Sequence, residues 1–146
     1  MKEEEINSIR QGAFLHDIGE SLIPDEILHK KSGLNKDELL IIRQHPENAK
    51  KILSEVNQFN NIMDIPFHHH ERWDGSGYPQ GLKELEIPLA ARIFAVVDVW
   101  DMLNRDRPYR NAWPREEARA YLNEQSGVLF DPQIVKLLFK MIKDID

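Results

Sequence analysis

The amino-acid sequence predicts an all-α domain. Three observations predict it: no segment alternates apolar and polar residues as a strand does, apolar residues recur at helical spacing, and helix-start signals recur along the chain. Ile6, Ile9 and Ala13 have helical spacing, so residues of about 3–17 read as a helix. Glu3, Glu4 and Glu5 suit the positive end of its macrodipole, and Gly19 reads as its stop. His16 and Asp17 then fall on its last turn. Asn35, with Glu38 three residues on, reads as a capping box that opens a helix through about Gln44. Pro46 disfavours helical geometry at His45 and starts the next helix, to about Val56, which leaves His45 at a junction. A short helix is expected over 62–70. Residues 72–88 contain Asp-Gly, Ser-Gly, Tyr-Pro, Gln-Gly and Ile-Pro, turn signals throughout, and a loop this long in a compact domain is usually functional or disordered. Pro88 opens a helix to about Asn104. Two more follow, over 114–125 after Pro114 and over 132–143 after Asp131-Pro132.

The chain has 146 residues, which fits one domain over 1–146 that buries roughly two-thirds of its unfolded surface. A net charge of −6 argues against nucleic acid and anionic membranes as partners, so an anionic substrate must be held by metal ions or a few arginines. With no cysteine, disulfides and thiolate ligands are excluded. The longest near-apolar run, 93–100, is too short to span a membrane and is interrupted by Asp98. Lys2-Glu3-Glu4-Glu5 has the wrong charge for a signal peptide, so the expected location is the cytoplasm.

The residues with metal chemistry are imidazoles and carboxylates. His68, His69 and His70 are half of the six histidines and adjoin a predicted helix end. His16-Asp17 is a weak signal by itself and His45 a weaker one, since a core-edge histidine with a solvated aspartate and a plain helix boundary explain them. Asp98 lies in a helix that is apolar nearly all round, from Ala90 to Leu103, and is therefore expected to be central, with the carboxylate largely out of water. A buried carboxylate needs a partner: a metal ion, or an arginine such as Arg92 or Arg107. His29 reads as a surface residue. His16, Asp17, His45, His69, His70 and Asp98 are six N/O donors, more than one tetrahedral site uses, which suggests two hard or borderline ions.

Several longer motifs occur in order: His16-Asp17-Ile18-Gly19, Ile23-Pro24-Asp25, His45-Pro46, the unbroken HHERWDGSGYP of residues 69–79, Ile87-Pro88, Asp106-Arg107-Pro108-Tyr109-Arg110 and Phe130-Asp131-Pro132. Together they resemble the HD-GYP family, metal-dependent phosphodiesterases of the HD superfamily that act on cyclic di-GMP. The resemblance covers about 12–140. It implies a compact helical HD-domain bundle, here without the helices that precede the HD pair in the family. It implies His16, Asp17, His45, His69, His70 and Asp98 as ligands of divalent metal, two ions, with iron or manganese ahead of zinc or nickel and Asp17 bridging. It also implies hydrolysis of cyclic di-GMP to pGpG or GMP by metal-bridged hydroxide attack, with Arg107 and Arg110 contacting phosphates and Gly75, Gly77 and Pro79 shaping a loop that can bind a diguanylate cyclase (GGDEF-type) domain.

Two departures stand out. The family usually has a lysine directed at the phosphate where this chain has Glu20, which sets a negative group near an anionic substrate; Asp17 and Glu20 are the catalytic positions that the resemblance implies. The missing first helices would leave apolar surface for a partner or a homodimer to cover. Two alternatives follow: a catalytically degenerate module acting by ligand or partner binding, and a phosphohydrolase on another nucleotide.

Overall fold

In a computed structural model, the structure is described over residues 1–106 and 110–143. Those residues form eight α-helices joined by short 3₁₀ segments, with no β-strand among them, and Ser126 and Phe130 form an isolated β-bridge. The expected all-α class is what forms. The chain divides into two compact units, one of residues 1–70 with 78–80, the other of residues 71–77 with 81–146.

The first unit holds α1 (Glu3–Phe14), a 3₁₀ turn (Ile18–Leu22), α2 (Asp25–Leu28), α3 (Lys36–Ile42), α4 (His45–Ser54), a second 3₁₀ segment (Asn57–Ile62) and α5 (Asp64–His68). The Asn35 side chain accepts from Glu38 N at 2.9 Å while Glu38 returns a bond to Asn35 N, which is the predicted capping box. Helix α1 ends at Phe14, three residues before the predicted end, so His16 and Asp17 lie in the turn that leads into the 3₁₀ segment. Gly19 is therefore not a helix stop. It sits inside that 3₁₀ segment, packed on α4, where an added Cβ would collide with the His45 carbonyl oxygen and stand 2.6 Å from Ala49 N. Helix α4 also packs on α5, and α5 on α1, around buried Ala49, Leu53, Ile62, Ile65 and Phe67.

The second unit holds α6 (Leu89–Leu103), α7 (Arg115–Glu124) and α8 (Pro132–Lys143), with α6 packed against both others. Val96, Leu122, Phe130 and Val135 form its core, flanked by Trp100, Tyr121 and Phe139. Asp131 caps α8 by accepting from Gln133 N at 2.8 Å and pairs with Arg92 at 2.6 Å. Helix α6 is less enclosed than its composition predicts. Only Ala91, Val96 and Leu103 are buried, while Leu89 and Val97 are exposed. Asp98 is exposed as well, contrary to the expectation of a carboxylate held out of water.

Candidate metal centre

Five of the predicted ligands meet in the first unit. His16 Nε2 lies 2.8 Å from Asp17 Oδ2, and Asp17 Oδ1 lies 3.5 Å from His69 Nε2 and 3.7 Å from His45 Nε2. His45 Nε2 and His69 Nε2 are 3.1 Å apart. His70 completes the group: its ring meets His45 edge-on at 4.8 Å and lies 4.2 Å from His69, and one nitrogen from each of His45, His69 and His70 falls within a 4.8 Å cluster. The sixth, Asp98, stands on α6 of the second unit.

Local chain geometry fixes these rings. His45 opens α4, directly after α3 and one residue before Pro46, so a helix start carries its imidazole inward. His69 and His70 follow the last turn of α5. In His16, His45 and His69 the Nδ1 faces a backbone carbonyl, that of Ala13 at 2.8 Å, Ile42 at 2.8 Å and Ile65 at 3.0 Å. A carbonyl only accepts, so each Nδ1 carries the proton and donates. A neutral ring then has its lone pair on Nε2, the atom turned towards the cluster.

This arrangement fits a cation. Two Nε2 lone pairs 3.1 Å apart repel unless a proton or a positive ion stands between them. Two nitrogens that share one ion at about 2.1 Å lie on the order of 3 Å apart, and imidazoles that ligate metal donate their other N–H to a carbonyl or carboxylate. His45 and His69 are buried at 2 % and 8 % exposure, so water does not take that role freely. Between His16 Nε2 and Asp17 Oδ2 the same need arises, since Nδ1 of His16 is already committed.

The electrostatics favour an ionised Asp17. Burial acts to raise its pKa and is the largest single influence, yet the hydrogen bonds and positive charge that His16 and His69 supply when Nε2 also carries a proton, in the place a cation would take, outweigh it and hold the carboxyl far below the usual range. Burial, helped by neighbouring His69, pushes His45 down, which keeps it neutral and able to ligate. Glu20 moves the other way: burial and the charge of Asp17 raise its carboxyl.

His68, His29 and Arg110 have other surroundings. His68 spends both ring nitrogens on ordinary partners, the Asp64 carbonyl at 3.2 Å and Gln80 Oε1 at 3.0 Å. His29 is exposed beside Asp25. Arg110 donates to the Met102 carbonyl at 2.6 Å and lies over the Trp113 ring, and Arg107 lies outside the described residues. Arg92, offered by the sequence as a partner for Asp98, donates to Asp131 and to the Ile87 carbonyl.

The 69–79 motif divides its labour. Buried Glu71 accepts from Leu82 N at 3.0 Å and so staples the base of the loop. Trp73 N and Asp74 N donate to the carbonyls of Leu129 and Val128, and Gly75 adopts a φ of +82° that a side chain would strain. Tyr78 belongs to the first unit: its N–H donates to the His70 carbonyl at 3.2 Å and its ring stacks on the His70 imidazole, centroids 4.7 Å apart. Neither Glu71 nor Tyr78 stands out in the sequence beyond its place in the motif.

An all-α fold with a His-Asp pair and three further imidazoles around one point defines a class of metal-ligating helical domains. The family match makes this specific. Residues 1–134 match the HD domain, and the chain belongs to that family. Its motifs place it in the HD-GYP branch, as the sequence resemblance implied. It is 46 % identical over 142 residues to a cyclic di-GMP phosphodiesterase response regulator of Xanthomonas campestris, covering 96 % of this chain and 38 % of that protein. It is 44 % identical over 147 residues to a cyclic di-GMP phosphodiesterase of Thermotoga maritima, covering 99 % of this chain and 40 % of that one. The chain thus spans about two-fifths of the length of these relatives. Among solved structures, a cyclic GMP-AMP specific phosphodiesterase of Vibrio cholerae superposes with a TM-score of 0.74 at 20 % identity, over 98 % of this chain and 39 % of that one, a likeness of fold. No helix among the described residues is long and apolar enough to cross a membrane.

Proposed function

We propose that this chain is a metal-dependent phosphodiesterase domain that hydrolyses cyclic di-GMP, with His16, Asp17, His45, His69 and His70 holding divalent metal. The observation that carries the reading is the pair of buried Nε2 atoms, 3.1 Å apart, each on a ring whose Nδ1 is bound to a carbonyl. The names of the relatives from Xanthomonas and Thermotoga support the substrate.

Bound there, a divalent ion supplies the positive charge that polarises a phosphoryl oxygen and offsets charge developing during hydrolysis. The protein's own groups do the rest. The carbonyls of Ala13, Ile42 and Ile65 hold the Nδ1 protons and aim three Nε2 atoms inward. Asp17 stays ionised and presents one oxygen to His16 and the other to His45 and His69, so that both oxygens would be available to hold divalent metal. Iron or manganese, two ions per chain, belongs to the same proposal, since an N/O donor set without thiolate suits either.

Glu20 favours a second reading, a module that binds the nucleotide or a partner without turnover. Its charge shares the neighbourhood of Asp17, and a phosphate arriving there meets two carboxylates. One experiment separates the readings: the chain is loaded anaerobically with Fe²⁺ or Mn²⁺, its metal content measured, and cyclic di-GMP hydrolysis followed by chromatography. Bound metal with pGpG or GMP as product is the expected result. Bound metal without product, restored by Glu20→Lys, supports the binding module. No bound metal overturns the enzyme reading and leaves a module whose surface, rather than its metal centre, carries the function.

A further inference from the structure

We infer that Arg43 is a positioning residue for His70, acting through the ring of Tyr78. The inference rests on the metal-centre reading above. Arg43 caps the C-terminus of α3, two residues before His45, and its side chain is exposed. Its guanidinium carbon lies 5.2 Å from the centroid of the Tyr78 ring, within the range of a cation–π contact. Tyr78 in turn is joined to His70 twice, by its N–H to the His70 carbonyl at 3.2 Å and by near-parallel stacking with the planes 21° apart. His45 meets both rings edge-on, at 4.8 Å from His70 and 6.5 Å from Tyr78.

Arg43, Tyr78 and His70 form a chain of contacts from an exposed cation to an imidazole of the cluster. His16, His45 and His69 have their planes set by hydrogen bonds to carbonyls three or four residues back. The plane of His70 is set in addition by the stacked tyrosine, whose own face is held by the guanidinium. Removing Arg43 takes one contact from the Tyr78 ring, and the slack passed to His70 must then be lost again when a metal binds. Outer partners of metal-ligating histidines act on affinity in this way. Because Arg43 is exposed, its effect is at the lower end, about two- to fivefold.

The test titrates Co²⁺ into the metal-free 146-residue chain and follows the visible absorption of the bound ion. Arg43→Met weakens Co²⁺ binding about two- to fivefold. Arg43→Lys, which keeps a cation over the ring, restores most of it. In a Tyr78→Leu background, Arg43→Met has no further effect, because the residue it acts through is gone. Circular dichroism of each variant confirms that the fold persists. Unchanged Co²⁺ affinity in Arg43→Met with a raised KM for cyclic di-GMP overturns the inference and makes Arg43 a substrate contact. A loss of equal size in the Tyr78→Leu background overturns it too. If His70→Ala binds Co²⁺ as the wild type does, or the wild type binds none, the failure lies in the metal-centre reading instead.

Discussion

The two units bury polar groups in opposite ways. In the second, the buried charges are complete within the protein: Asp131 receives Arg92 and Gln133 N, and Glu71 receives Leu82 N. In the first, His45 and His69 are equally withdrawn from water, yet their Nε2 atoms face each other and an ionised Asp17. The second unit's polar network is a structural element. The first unit's network is finished only by a cation or added protons. Burial alone does not distinguish function from scaffold; what does is whether the donors and acceptors balance without a further component.

The largest way to break that comparison is at Gly19. Gly19→Ala sets a Cβ against backbone atoms of α4, which cannot swing aside as a side chain would. Loss of more than about 4 kcal/mol, with loss of metal binding, is expected by chemical denaturation. Asp131→Ala strikes the second unit, leaving a mostly buried Arg92 without its carboxylate and α8 without its cap. It should cost about 3–4 kcal/mol. Saturating Mn²⁺ should raise the Tm of this variant by the same amount as that of the wild type, roughly 5–10 °C at a hundredfold excess over Kd. A lost Mn²⁺ response there would show that the second unit also holds the ion.

The smallest effect is electrostatic. Burial and the charge of Asp17 lift the Glu20 carboxyl above its usual 4.5, so ionised Glu20 costs stability at neutral pH. Below about 4.5 it is protonated whether folded or unfolded, and the cost is gone. Glu20→Gln should therefore raise the Tm of metal-free protein by roughly 1–2 °C at pH 7, a gain that fades as the pH falls below that value. A gain that persists at pH 4 would mean that the substitution acts by packing rather than charge.

Much of this was legible in the sequence, for reasons that differ by residue. The Asn35 cap and the Asp131-Pro132 start are local chemistry, and both formed where the sequence put them. The end of α1 was not legible, because Gly19 has two uses: it can stop a helix, or it can admit another helix to van der Waals contact, and only the packing of α4 decides. Asp98 shows a different limit. It shares a face of α6 with Ala91, which is buried, yet two turns on that face is open. Periodicity tells which side of a helix is apolar but not how far along it a neighbour reaches. Convergence of the histidines was likewise invisible to spacing, since α4 and α5 must pack before His45 can meet His69.

The most direct test of the central claim is ¹⁵N NMR of histidine-labelled, metal-free protein during titration with Zn²⁺. The account predicts that Nδ1 of His45 and His69 stays protonated throughout, while both Nε2 resonances shift together and saturate at the same equivalence. Nε2 resonances that do not respond to Zn²⁺, or protons found on Nε2 with Nδ1 bare, would contradict it.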